Sequence, residues 1–172
     1  MKRILSVIPE NCTGCQICMI RCSYFHNKTH SPAKSRIFVV RRQPTRGRNN
    51  YVITPIICIQ CGLCMYACPI PEAMKKKGET GAIIVTDKCI GCGECVIACP
   101  YGVIFVDTFL QKAIKCDLCE GKPQCVEHCN YEALKYYEPI VAAMLRRYNL
   151  AEAIGRKELV QITKNPKSIF GE

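Results

Sequence analysis

Apolar residues along this chain fall in short runs set among polar and glycine-bearing loops, and only the C-terminal part carries a helical stripe. Residues 4–8, 37–40, 51–54, 83–85 and 103–106 favour extended backbone and read as strands. The runs at 37–40 and 51–54 flank Pro44-Thr45-Arg46-Gly47, so together they read as a hairpin. Short helical turns are expected between the loops, for example over residues 93–98. Strand, loop and short helix then recur about every thirty residues, an internal repeat with the hairpin inserted after its first copy. The tail differs. Pro139 can open a helix, and Ile140, Val141, Met144, Leu145, Tyr148 and Ala151 recur at helical spacing, with Arg146, Arg147 and Glu152 outside that stripe. Such a helix would pack across the repeats, or it or the ensuing residues 154–170 would lie against another subunit.

Composition changes this picture through cysteine, which supplies 16 of the 172 residues. Chains so rich in cysteine are secreted disulfide scaffolds or metal proteins. The apolar stretch near Met1 is about five residues, shorter than the roughly 7–15 of a signal-peptide core. No run approaches the roughly 18 apolar residues of a membrane-spanning helix. Arg41-Arg42 lies too far along the chain for a twin-arginine signal. These features predict a cytoplasmic chain with no membrane span, in which thiols hold metal rather than one another.

Spacing says which metal. Cys12, Cys15, Cys18 and Cys22 follow a C-x2-C-x2-C-x3-C pattern that recurs at Cys58, Cys61, Cys64 and Cys68 and at Cys89, Cys92, Cys95 and Cys99. Cys116, Cys119, Cys125 and Cys129 vary it, with Glu120-Gly121-Lys122-Pro123-Gln124 as an enlarged loop. No cysteine is left over. Thiolates at i, i+3 and i+6 let a short loop wrap one face of an iron–sulfur cube. The next cysteine, a helical turn beyond, can serve a neighbouring cube, as in two-cluster ferredoxins, where proline follows it. Cys68-Pro69 and Cys99-Pro100 carry that proline, whereas Ser23 follows Cys22 and Asn130 follows Cys129. The pattern predicts four [4Fe–4S] clusters. Zinc sites instead use two ligand pairs separated by on the order of a dozen residues, which fits these groups poorly. A Rieske centre needs two histidines on one iron. Only His128 touches a motif, and it, His26 and His30 read as surface or packing residues. Gly14, Gly62, Gly91 and Gly93 sit inside the ligand loops, where a tightly folded chain needs positive φ and bare N–H groups aimed at sulfur.

The formal charge of +10, with a basic stretch at Arg36, Arg41, Arg42, Arg46 and Arg48, invites a nucleic-acid reading. Ligating thiolates and oxidised cluster cores bring the holoprotein to about +2, so the basic excess reads as counter-charge to buried anionic clusters. No nucleic-acid partner is expected. Lys75-Lys76-Lys77 and Arg146-Arg147 read as solvated surface.

These four motifs resemble those of four-cluster ferredoxin-type subunits, the iron–sulfur partners of molybdenum and tungsten oxidoreductases (the DMSO reductase type), formate dehydrogenases and some hydrogenases. The resemblance covers roughly residues 1–135. It implies an α+β fold of two ferredoxin-like two-cluster modules with a hairpin insertion and a C-terminal helical tail. Residues 1–35 and 108–135 would form an outer module, 56–107 an inner one, 36–55 the inserted hairpin and 136–172 the tail. The family interleaves groups one and four, and two and three. By that resemblance Cys12, Cys15, Cys18 and Cys129 hold one cluster, and Cys116, Cys119, Cys125 and Cys22 its neighbour. Cys58, Cys61, Cys64 and Cys99 hold the third, and Cys89, Cys92, Cys95 and Cys68 the fourth. With no anchor and no long extension, the chain is most similar to small polyferredoxin subunits that accompany cytoplasmic tungsten-dependent aldehyde oxidoreductases.

Such a chain conducts electrons singly and leaves two-electron chemistry to a partner. It has no G-x-G-x-x-G fingerprint, no P-loop, and no cysteine to spare for a nucleophile. The expected function is a non-catalytic electron-transfer subunit linking the cofactor of a larger tungsten or molybdenum pterin enzyme to an acceptor such as ferredoxin. A freely diffusing polyferredoxin and a structural zinc-binding interaction protein are the alternatives. Tyr24, Phe25, Tyr66, Tyr101 and Phe105 flank ligand groups and are expected to keep water from the clusters.

Overall fold

The computed structural model describes residues 3–42, 52–141 and 143. Every strand pairs with one neighbour, giving two-stranded antiparallel sheets and no larger one among the described residues. Strand β1 (Ile4–Val7) pairs with β8 (Leu134–Tyr137), Leu5 opposite Tyr136 and Val7 opposite Leu134. Leu5 and Leu134 turn inward and are buried. Strands β2 (Phe38–Arg42) and β3 (Val52–Ile56) form the hairpin expected from the sequence, and its Pro44–Gly47 turn lies outside the described residues. Strands β4 (Met74–Lys76) and β5 (Ile83–Val85) pair, as do β6 (Phe105–Asp107) and β7 (Lys112–Ile114). The fold is α+β, built from small hairpin sheets around cysteine-bearing loops.

Four helices follow the ligand loops: α1 (Ile17–Asn27), α2 (Leu63–Tyr66), α3 (Glu94–Ile97) and α4 (Gln124–Glu127). Three are single turns as expected. Helix α1 is not. It runs straight through Cys22 to a left-handed cap at Lys28 (φ 55°). Pro69 and Pro100 exclude the helical conformation and the N–H a continuing helix needs after two of the groups, whereas Ser23 permits both; Asn130 after Cys129 permits them too, and α4 nonetheless ends at Glu127. Ser23 is fully buried, its hydroxyl 3.2 Å from that of Thr29.

Two apolar clusters form the core, and cysteines belong to both. One gathers Leu5, Met19, Ile37, Ile57, Leu118 and Leu134 around Cys18, Cys22 and Cys125. The other gathers Met74, Ile83, Ile104 and Ala113 around Cys64 and Cys95. Lys75, Lys76 and Lys77 are exposed. Residues 139–141 enter a helical turn, while Met144, Leu145, Arg146, Arg147, Tyr148, Ala151, Glu152 and residues 154–170 of the expected tail lie outside the described residues, as do Arg46 and Arg48. Among the described residues no helix is long and apolar enough to cross a membrane.

Candidate metal centres

The sixteen thiols are all free of disulfides and gather four by four around four cavities. The first, about 330 Å³, is lined by Cys12, Cys15, Cys18 and Cys129. The second, about 340 Å³, is lined by Cys22, Cys116, Cys119 and Cys125, and also by Cys58. The third, about 300 Å³, has Cys58, Cys61, Cys64 and Cys99; the fourth, about 290 Å³, has Cys68, Cys89, Cys92 and Cys95. In each cavity three thiols come from one group and at least one from another.

Local backbone makes this possible. In α1, Cys18 and Cys22 are one turn apart and face different cavities, as Cys125 in α4 and Cys129 beyond it do. Helices α1 and α4 pack together, which sets the first and second cavities side by side. The pairs Cys64/Cys68 and Cys95/Cys99 do the same around α2 and α3, setting the third beside the fourth. Cys58 touches both the second and the third cavity. The four cavities therefore follow one another in a row. Loop glycines serve the tight wrapping: Gly91 has φ +68°, and a Cβ there would sit 2.7 Å from the Gln111 carbonyl oxygen. In the fourth group four consecutive residues, Leu118, Cys119, Glu120 and Gly121, take positive φ, three of them without being glycine.

Backbone N–H groups reach the sulfurs. Arg36 N–H donates to Cys22 Sγ (3.3 Å), Ala113 N–H to Cys89 Sγ (3.4 Å) and Leu118 N–H to Cys116 Sγ (3.5 Å). Burial pushes the Cys18 and Cys116 thiols up to about 12, and Cys95 and Cys119 to about 11. Without metal such thiols stay protonated, and anionic sulfur is tolerated there only when bound to a cation. The donor set fits iron–sulfur clusters: sixteen sulfurs, at least four to a cavity, with no carboxylate lining any of the four. The chain carries four [4Fe–4S] clusters.

The second site is the most enclosed, having no exposed thiol, whereas Cys15, Cys61 and Cys92 open the other three toward solvent. A charged network braces it. The Arg36 guanidinium donates to Asp117 Oδ2 at 2.7 Å, and Asp117 Oδ1 accepts from Cys119 N–H at 3.0 Å. His26 Nε2 lies 3.5 Å from Asp117 Oδ1 and 3.7 Å from Cys119 Sγ. Burial, then Arg36, lowers His26 to about 4. His26, read from the sequence as a surface or packing residue, is packed into this wall. Nothing local signals it, because Cys119 is 93 positions away. His128 caps α4, its Nδ1 3.0 Å from the Gln124 carbonyl oxygen. Arg41, from the basic stretch, donates to the Gly14 carbonyl beside the first site.

The expected aromatic shield is only partly there. Tyr66 is 82 % exposed and Tyr24, Phe25 and Tyr101 are exposed as well, while Phe105 is half-buried and packs edge-on to Phe38. Tyr101, though exposed, does line the third site, together with the buried aliphatic residues Ile83, Val103 and Ile104.

The 4Fe-4S dicluster domain family matches residues 57–104, and a second 4Fe-4S dicluster domain family matches residues 11–71. The chain is 39% identical over 144 residues to the aliphatic sulfonate oxidoreductase, polyferredoxin-like subunit, of Pyrococcus furiosus, covering 78% of this chain and 79% of that one. It is 34% identical over 142 residues to the NADH-dependent phenylglyoxylate dehydrogenase subunit beta of Aromatoleum evansii, covering 79% of this chain and 31% of that longer protein. Among solved structures it is similar to a chain of the active site complex BamBC of benzoyl coenzyme A reductase, with a TM-score of 0.42 and 23% identity over 95% of this chain and 98% of that one. At that overlap the likeness adds nothing to the functional reading.

Proposed function

Since this chain belongs to the polyferredoxin-like subunits of oxidoreductase complexes, with 4Fe-4S dicluster domains, we propose that it is a non-catalytic, cytoplasmic electron relay for a larger metalloenzyme. Cys12, Cys15, Cys18 and Cys129 hold the first cluster, and Cys22, Cys116, Cys119 and Cys125 the second. Cys58, Cys61, Cys64 and Cys99 hold the third, and Cys68, Cys89, Cys92 and Cys95 the fourth. Residues 1–35 and 108–135 form the outer module, 56–107 the inner, 36–55 the inserted hairpin and 136–172 the tail. The observation that carries this reading is the row of four cavities, each lined by three thiols of one cysteine group and at least one from another, with neighbours linked through a shared helix or a shared cysteine. Bound clusters supply one-electron transfer.

What the chain itself does is hold and tune. Thiolates from two groups lock neighbouring sites at a fixed spacing, which a single helical turn sets. Backbone N–H groups aimed at Cys22, Cys89 and Cys116 stabilise added negative charge on sulfur. Substrate chemistry is assigned to the partner, a tungsten or molybdenum pterin enzyme, possessed of its own two-electron centre, with ferredoxin as external acceptor. The names of the relatives support a subunit role and differ in substrate, which fits a relay indifferent to it. Affinity purification from the native cell under anaerobic conditions, followed by metal analysis, tests the reading. A fixed stoichiometry with a large subunit containing tungsten or molybdenum is expected, and aldehyde oxidation is the first activity to assay. A chain that purifies alone, serving several enzymes as a diffusible carrier, would contradict it.

A further inference from the structure

Lys115 is the only buried charged side chain among the described residues, at 3% exposure. It follows β7, where inward and outward positions alternate, so Ala113 and Lys115 share the inner face. Its Nζ donates to the Cys116 carbonyl at 2.7 Å, to Gln60 Oε1 at 3.1 Å and to the Ile83 carbonyl. Three acceptors surround the nitrogen, a set that an ammonium satisfies with all of its N–H bonds and a neutral amine does not. Gln60 is itself fixed: Oε1 also accepts from Ile83 N–H at 3.0 Å, and Nε2 donates to the Cys116 carbonyl at 2.9 Å. Three segments meet here, one from the third site's loop, one from β5 and one from the second site's loop.

A buried ammonium is expensive without an opposite charge. None of the ion pairs among the described residues includes Lys115. What it does face is sulfur. Lys115 lines the third cavity, the next residue, Cys116, lines the second, and Cys58 borders both. The missing counter-charge is then the anionic clusters on either side, at the one junction in the row where no helix links neighbouring sites.

We propose that Lys115 is a positioning residue for electron transfer between the two modules, its ammonium favouring the reduced form of the clusters in both the second and the third site. It rests on the relay reading above. At an effective dielectric constant near 20, a unit charge within roughly 8 Å changes each reduction equilibrium by on the order of tenfold or more. The test is an anaerobic redox titration of the holoprotein followed by electron paramagnetic resonance, comparing wild type, Lys115→Met and Lys115→Arg. In Lys115→Met two of the four clusters become harder to reduce by at least about tenfold in equilibrium constant, while the other two are unchanged, and Lys115→Arg restores the first two. Four unshifted clusters, a uniform shift of all four, or an arginine variant that behaves like methionine would overturn the proposal. Should Lys115→Met not retain iron, Gln60→Glu sets a carboxylate against the ammonium with little change of shape. The same two clusters then shift in the same direction, and unchanged potentials there overturn the proposal equally. Wild type with fewer than four reducible clusters removes the relay reading itself, a result distinct from an unshifted variant of a four-cluster wild type.

Discussion

Replacing glycines around the fourth site separates backbone conformation from contact. Gly91 (φ +68°) lies between Cys89 and Cys92, and an added Cβ would stand 2.7 Å from the Gln111 carbonyl oxygen, a backbone atom that cannot rotate away. Gly93 (φ +88°) caps α3 in the same loop with nothing within 4 Å, and Gly78 is open and has no positive φ. Alanine at Gly93 meets only the left-handed penalty, about 1–2 kcal/mol. At Gly91 the clash adds about 1–3 kcal/mol of overpacking, for a total of about 2–5 kcal/mol. Strain stored in the loaded loop and released with the metal speeds iron loss by about tenfold per 1.4 kcal/mol. Chelator-driven iron release, followed anaerobically by the loss of visible absorbance, should therefore rank Gly91→Ala fastest, Gly93→Ala about tenfold faster than wild type, and Gly78→Ala unchanged. Isolated Gly91→Ala is expected with about twelve irons instead of about sixteen, one cluster having gone. Equal release rates for Gly91→Ala and Gly78→Ala, or loss spread evenly over all four clusters, would refute the argument.

Cys22→Ser should damage the cluster bound with Cys116, Cys119 and Cys125 and spare the one bound with Cys12, Cys15 and Cys18, which resonance spectra of the two variants Cys22→Ser and Cys18→Ser distinguish. Asp117→Ala removes two hydrogen bonds and leaves Arg36 unpaired; at about 1–3 kcal/mol for each of the two groups so orphaned, it should destabilise the second site by about 2–6 kcal/mol, read as faster iron loss, with Asp117→Asn intermediate. Acid should favour metal release: thiols raised to about 11 or 12 by burial must give up protons to bind iron, so iron retention against a chelator rises with pH between 6 and 9 on the order of several-fold per unit and never falls. For His26 the folded value is depressed to about 4, so its contribution to stability is full above about 6.5 and lost as pH falls through about 4; denaturation midpoints of His26→Gln should lack that acid-side loss.

The cysteine groups were legible because local spacing alone places three sulfurs on one face of a loop, and because glycines mark the tightest turns. Strands at 4–7, 83–85 and 105–107 were near their expected places for the same reason: short apolar runs bounded by turn residues. Strand β8 escaped because its partner, β1, lies at the other end of the described chain, so that only the closure of the fold makes Leu134–Tyr137 a strand. Strand β4 escaped because two of its three residues are lysines that face solvent. The length of α1 was not readable from Ser23 alone, because Asn130 likewise replaces proline after Cys129 and α4 is still a single turn. Lys115 and His26 were not legible as site residues, since each owes its burial to acceptors or sulfurs drawn from distant segments.

Coulometric reduction of the anaerobically isolated chain bears most directly on the central claim that it is a four-cluster conductor. About four electrons should enter per chain, with about sixteen irons and as many acid-labile sulfides, each step bleaching the broad visible absorption. Uptake of no electrons by a colourless protein containing zinc would contradict it.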